Sequence, residues 1–303
     1  MVMPTFSKIL VATDCGPSSE CAVRWAAALA ARSRACLTVL HAIEGAAYAF
    51  PFPPSPQLDD EARMRLDSLV AGLTARGLRA DWVLREGLAA DEICAAALDA
   101  RVDLVVVGSH GRSGLPRFVH GSVAERVVRL APVPVLTVHS ADEVKPGEGG
   151  PVRRILAPTD FSDASRRSVE AALKLAIDFD AVLTVLHVCE LPVGLQYVTE
   201  DVAKEVEAQA RQKLDATLAS VRLLAPKAEG NLRRGNAWAG IVAAAEEHAS
   251  DLIVVGTHGR RGLERAFLGS VAEKVVRLAP VPVLAVSHAA DHRDAVEGPG
   301  AST

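Results

Sequence analysis

Two tandem, doubly wound α/β domains are predicted for this 303-residue chain, and three observations carry the prediction. The first is that the chain repeats itself. Gly108–Val138 and Gly256–Val286 agree at 23 of 31 positions. The run from Lys8 to Asp14 is matched by Arg154 to Asp160, and Leu37–His41 by Leu183–His187, both 146 residues on. Gly87 and Gly235 are 148 apart, as are Gly108 and Gly256, so a net two-residue insertion falls between His187 and Gly235. So long a period means two globular units rather than a solenoid. The second observation is that short apolar runs alternate with helical patterns, the order that builds an α/β sheet. The third is that runs such as Leu104–Val107 lack polar alternation, which suits parallel strands covered on both faces.

In the first half the strands are expected at about 8–13, 37–43, 80–85, 104–108 and 133–138, and the helices at about 18–34, 57–76, 89–100 and 122–131. Ser18 and Ser19 are candidate N-caps for the first helix. The second half repeats the pattern. The domains are expected at 1–140 and 152–288, joined by a Gly- and Pro-rich linker at 141–151. Residues 289–303 read as a polar, disordered tail.

Composition narrows the function classes. Aromatic residues are 4% of the chain, so the cores are expected to be Ala, Val and Leu, with Trp25, Trp82 and Trp238 among them. A net charge of −4 argues against a general nucleic-acid surface. No run of 18 uncharged apolar residues suggests a membrane span, and the N-terminus passes almost directly into a strand without the features of a signal peptide. Cys15, Cys21, Cys36, Cys94 and Cys189 form no C-x-x-C pair and read as small packing residues in a reducing cytoplasm.

The chemistry concentrates in the repeated glycine segments. Gly108, Gly111, Gly121 and Ser122 have the spacing Gly-x2-Gly-x9-Gly-Ser, and Gly256, Gly259, Gly269 and Ser270 repeat it. Each set lies between an apolar run and a helical pattern. A glycine loop presents bare backbone N–H groups, and the following helix start adds partial positive charge; together they favour anions, phosphates above all. A left-handed turn without a ligand accounts for the first glycines but not for the third glycine and the serine. Ser122 and Ser270 are also candidate N-caps, with Glu125 and Glu273 completing capping boxes.

Asp14 and Asp160 end the first strand of each half. Doubly wound sheets take ligands beyond the carboxyl ends of the strands, at the switch point, so these carboxylates are site candidates. Capping the next helix is the other role open to them. His41 and His187 read as hydrogen-bonded core residues. His110, Arg112, Arg117, His258, Arg260, Arg261 and Arg265 put positive charge on the loops, for phosphate or for solvent. Pro116 becomes Glu264 in the second loop, which is expected to make the second site the weaker one. The aromatic, Pro-rich stretch 46–56 has no close counterpart at 191–197 and reads as a lid, a docking loop or a self-packed crossover. There is no G-x-x-x-x-G-K-[ST], no G-x-G-x-x-G after the first strand and no metal-spaced His/Cys cluster. No catalytic residue is identified.

These residues resemble the universal stress protein family in its tandem two-domain form, from about Lys8 to Val286, and the glycine motif resembles that of its ATP-binding branch. The resemblance implies a five-stranded parallel sheet in each domain, in the order 3-2-1-4-5. It implies ATP or a related adenine nucleotide as ligand, with Mg²⁺ a candidate companion, and dimerisation through the edge strand. It places Asp14 and Asp160 on ribose hydroxyls or a bound metal. Ala42 and Val188 match a position whose backbone pairs with the adenine edge, and Val123 and Val271 follow the Gly-Ser pair at the helix start. The implied role couples nucleotide binding to stress or metabolic signalling through a partner the sequence does not identify. A slow ATPase or nucleotidyl-transfer enzyme, and a nucleotide-free dimerisation or docking module, are the competing classes. The fifth strands are short, apolar and nearly identical, so the two domains are expected to pair through them as a pseudo-dimer, with assembly of whole chains into a homo-oligomer left open.

Overall fold

The computed structural model describes residues 5–44, 56–109, 121–139, 152–190, 200–257 and 268–287. The first half runs β1 (Lys8–Ala12), α1 (Pro17–Ser33), β2 (Cys36–Ile43), α2 (Pro56–Ala75), β3 (Arg79–Glu86), α3 (Ala89–Asp99), β4 (Leu104–Gly108), α4 (Ser122–Leu130) and β5 (Val135–Val138). The second runs β6 (Arg154–Pro158), α5 (Asp163–Phe179), β7 (Val182–Cys189), α6 (Glu200–Arg222), β8 (Glu229–Arg234), α7 (Ala237–Glu247), β9 (Leu252–Gly256), α8 (Ser270–Leu278) and β10 (Val283–Val286). Element type and order follow the sequence pattern, with shifts of one or two residues at the ends.

Each half is a parallel sheet in the order 3-2-1-4-5, and the two fuse into ten strands ordered β3-β2-β1-β4-β5-β10-β9-β6-β7-β8. Alternation along each strand sorts the core into two layers. Ile9, Val11, Leu37, Val39, Leu104 and Val106 face α1 and α2, and their counterparts face α5 and α6. Leu10, Leu40, Val105, Val107 and Val135 face α3 and α4, with α7 and α8 continuing that layer in the second half. Both layers run unbroken across the junction. Burying each of these side chains contributes about 1.5–3 kcal/mol.

Among the described residues the junction is the one strand pair that runs antiparallel. Val283 lies opposite Thr137, Leu284 opposite Leu136 and Ala285 opposite Val135. The two fifth strands therefore meet as the sequence suggested. Pro134 and Pro282 sit just outside the paired strands, and their carbonyls accept from Val105 and Ile253 at 3.0 Å each. The antiparallel junction has a functional consequence: the carboxyl ends of the two sets of parallel strands emerge at opposite edges of the sheet.

Several local expectations need correction. α1 starts at Pro17 with Gly16 as its N-cap, so neither Ser18 nor Ser19 holds the capping position; proline at the first helical position fixes the start earlier. The two halves also fill equivalent volumes differently. Trp82 on β3 is only partly buried, with Nε1 donating to Asp67 at 2.8 Å and Arg63 over its ring. Its counterpart is Gly230, where Leu218 takes up the space a side chain would need. Trp238 is likewise partly buried; only Trp25 is a true core tryptophan. None of the five cysteines is in a disulfide, but only Cys21 and Cys189 are buried. No helix among the described residues is long and apolar enough to cross a membrane.

Candidate functional site

The first part of the site forms where β1 ends. Asp14 Oδ1 accepts from the Gly16 amide at 2.9 Å and from Ser19 Oγ at 2.7 Å. Thr13 Oγ1 meets Ser19 Oγ at 2.8 Å and accepts from the Cys15 amide at 3.0 Å. The second half repeats this turn. Asp160 Oδ1 accepts from the Ser162 amide at 3.0 Å and from Ser162 Oγ at 2.5 Å, and Thr159 Oγ1 lies 3.1 Å from Ser165 Oγ. The chain reverses this sharply because Cys15 and Phe161 adopt left-handed backbone conformations, with φ of 58° and 64°. Such a conformation costs a side-chain-bearing residue about 1–2 kcal/mol, which the bonds from the turn amides to Thr13 and Asp14, and to Thr159 and Asp160, offset here. His41 and His187 lock the turn from below, each Nδ1 sitting 2.7 Å from the carbonyl oxygen of Thr13 or Thr159. The imidazoles are thus structural.

The second part forms where β4 ends. Gly108 is the last residue of β4, in register with Val138, so its backbone is extended rather than a left-handed turn. Ser109 donates its amide to the Val138 carbonyl at 2.8 Å and accepts from the Gly121 amide at 2.7 Å. Thr257 does the same between Val286 at 3.0 Å and Gly269 at 2.8 Å. Gly111 and Gly259, the loop His and Arg residues, Pro116 and Glu264 lie between these closures and outside the described residues, as do the linker, the tail and the stretches 46–55 and 191–199.

The helix starts themselves correct one expectation. Gly121 and Gly269 are the N-caps of α4 and α8, with no side-chain cap, and Ser122 and Ser270 are the first helical residues. Ser122 and Ser270 therefore do not cap, and the capping boxes with Glu125 and Glu273 do not form. By contrast α5 and α7 are capped by Ser162 and Asn236 side chains. The glycines are not needed for backbone freedom, since φ is −64° at Gly121 and −60° at Gly269. What glycine supplies there is the absence of a side chain beside the first N–H groups of the helix, which the N-cap residue does not cover. Uncovered helix-start N–H groups attract anions.

The two parts face one another across the switch point. Val11 pairs with Val106, so Asp14 is level with Ser109; Leu156 pairs with Ile253, so Asp160 is level with Thr257. On the other side Ala12 pairs with Leu40 and Pro158 with Leu186, which puts Ala42 level with Asp14 and Val188 level with Asp160. The walls differ between halves. A Cβ on Gly240 of α7 would come within 3.0 Å of Val188 Cγ2, whereas the first half has Glu92 at the Gly240 position and the smaller Ala42 at the Val188 position.

Sequence reasoning missed three supports. Glu44 and Glu190 leave β2 and β7 to accept the amides of Ala89 and Ala237, at 2.9 and 2.7 Å, anchoring the starts of α3 and α7. Ser19 and Ser165, 146 residues apart, serve the Thr-Asp turns; that repetition was the available signal. The third is how α3 and α4 are held together: Arg126 on α4 binds both oxygens of Asp91 at 2.9 and 3.0 Å, while Lys274 lies 5.4 Å over the ring of Trp238. Among the described residues no group of three or more His, Cys, Asp or Glu side chains could hold a metal ion.

Comparison with known proteins accords with this architecture. The model of the universal stress protein family matches residues 5–139 and again 151–287. A universal stress protein of Mycobacterium tuberculosis is 29% identical over 305 residues, covering 91% of this chain and 95% of that protein. Another, from Methanocaldococcus jannaschii, is 33% identical over 138 residues, covering 44% of this chain and 81% of its own length. The crystal structure of a universal stress protein from Archaeoglobus fulgidus superposes with a TM-score of 0.71 at 22% identity, covering 94% of this chain and 99% of that one.

Proposed function

The chain belongs to the universal stress protein family, and from that premise we propose that each half binds an adenine nucleotide, ATP or a close relative, at the carboxyl ends of its parallel strands. The observation that carries the reading is the uncapped, glycine-started helix tied to the end of β4 or β9, level with a turn-held aspartate. The phosphates lie against the starts of α4 and α8, at Gly121, Ser122 and Val123 and at Gly269, Ser270 and Val271. Gly108, Gly111, Gly256 and Gly259 keep the loops open to the ribose and phosphates. Asp14 and Asp160 take the ribose hydroxyls, or Mg²⁺ where the nucleotide carries it. The backbones of Ala42 and Val188 read the base edge. These groups fit such a ligand because donors stand on one side of the switch point and a carboxylate on the other.

The nucleotide is a signal rather than a fuel in this reading, and the chain reports its level to a stress or metabolic partner. A reducing, cytoplasmic setting suits its five thiols. The deciding experiment is mass spectrometry of small molecules released on denaturing freshly purified protein, with calorimetry of ATP and GTP. Adenine nucleotides, at up to two per chain, are expected. Protein that releases no nucleotide and gives no heat with ATP would leave the docking-module reading standing instead.

A further inference from the structure

The contacts between the two halves are unlike on their two sides, and the difference lies on residues related by the repeat. Leu136 and Leu284, 148 residues apart like the glycine loops, face each other in the β5–β10 ladder. A pseudo-two-fold axis therefore passes between them. Near such an axis, a position in one half meets the same position in the other.

Arg32 on α1 and Asp178 on α5 are such a pair, 146 residues apart. Arg32 Nη2 donates to the Asp178 carbonyl oxygen at 2.5 Å. The Asp178 carboxylate accepts from the Thr5 amide at 2.8 Å and from the Thr5 hydroxyl. The Arg32 guanidinium also lies 6.0 Å over the ring of buried Phe179, whose counterpart in the first half is Ser33. In the strand ladder Thr137 Oγ1 donates to the Val283 carbonyl at 3.2 Å, and its counterpart, Ala285, has no hydroxyl to return the bond.

We infer that this interface is built to join unlike halves: the first half accepts the second half and rejects the first half of another copy. Two first halves would set Arg32 against Arg32 and leave Ser33 where Phe179 provides the ring. Two second halves would set Asp178 against Asp178 and remove Thr5 as its donor. Like charges brought together across an interface select against the wrong partner. Duplication has thus turned a self-complementary surface into a directional one, as a chain with two different sites requires.

The test uses the full-length chain with a protease site introduced between residues 140 and 151. After cleavage, native mass spectrometry should find the two fragments as one-to-one pairs. Mixing with isotope-labelled cleaved chain should exchange partners without forming pairs of like halves. Like pairs in a statistical proportion would overturn the inference. The uncut chain gives a second measurement that does not depend on the fragments staying in solution. Asp178→Arg should lower Tm by roughly 2 °C, because it takes the acceptor from Thr5 and sets a second guanidinium beside Arg32, and adding Arg32→Asp should recover part of that loss by putting opposite charges where like charges stood. Strict additivity of the two substitutions would count against a matched pair and overturn the inference.

Discussion

Gly121 donates its amide to the Ser109 carbonyl at 2.7 Å, closing the base of the glycine loop and aiming the first turn of α4 at the strand ends. Backbone freedom does not explain the glycine, because its φ of −64° suits any residue. Space at the helix start does. Gly121→Val is therefore predicted to fold normally and to lose at least about tenfold in nucleotide affinity at the first site, ~1.4 kcal/mol. Gly269→Val should do the same to the second site alone. Calorimetry on each variant should count one site where the parent has two; unchanged stoichiometry and affinity would rule the assignment out.

Asp14 serves two roles that substitutions can separate. Its Oδ1 holds the turn through Gly16 and Ser19. Asparagine keeps that acceptor and removes the charge. We predict that Asp14→Asn leaves Tm nearly unchanged while weakening nucleotide binding by about 1.5–3 kcal/mol, the value of a hydrogen bond to a charged group. Asp14→Ala should lose binding and also destabilise the start of α1. If asparagine binds nucleotide as well as aspartate does, the carboxylate is a structural cap and nothing more.

Turnover is predicted to be slow. The sequence has no P-loop lysine, and the Nδ1 atoms of His41 on β2 and His187 on β7 are committed to the Thr13 and Thr159 carbonyls. ATP hydrolysis should fall far below the roughly 1–100 per second of kinases. A Mg²⁺-dependent rate in that range, removed by Gly121→Val or Gly269→Val, would restore the enzyme reading.

Most of the fold was legible because the repeat supplied two readings of every element. The strand Leu104–Gly108 matches its predicted span, since an uninterrupted Val run ending in Gly has few alternatives. The start of α1 was misplaced because serine is a good cap in general, while the actual start depends on the turn that Cys15 makes at positive φ, a conformation its residue type does not advertise. Trp82 and Trp238 were assigned to the core on size alone, and the structure instead uses each as a partly exposed partner for a neighbouring cation. Of the candidate site, the strand-end position of Asp14 and Asp160 and the helix-start position of Gly121 and Gly269 were legible in the sequence. The supporting Glu44 and Glu190 were invisible because each reaches a helix more than forty residues away through a strand crossing no local pattern records.

The thiols offer an independent check on the packing between α3 and α4. Burial, and then the neighbouring Asp91 charge, push the Cys94 thiol up to about 11, whereas Cys36 is exposed. Cys36 should alkylate quickly with iodoacetamide in the native protein and Cys94 slowly. The folded thiol holds its proton above the pH at which the unfolded one releases it, so this contribution is complete below about pH 9.0 and declines as pH rises towards 11. Cys94→Ala should flatten that part of the stability profile. Rapid native alkylation of Cys94 would mean that α3 and α4 do not close over it.

The final prediction concerns the junction between the halves. Val135 and Val283 are 1% and 0% exposed, and they pair with Ala285 and Thr137 across the antiparallel ladder. An aspartate at either position would bury a charge with no cation built to meet it, at a cost of about 3–5 kcal/mol each. Neither residue lies in the proposed nucleotide sites, and the two sets of strand ends point to opposite edges of the sheet. Val135→Asp with Val283→Asp should therefore break the ten-stranded sheet at its centre before it disturbs either nucleotide site. Size-exclusion chromatography should show an expanded or aggregated chain, and the scan should lose its single cooperative transition. A compact double variant with an unchanged Tm would mean that the halves are held by something other than this pair of strands, leaving the α1–α5 contacts around Arg32 and Asp178 as the surface to test next.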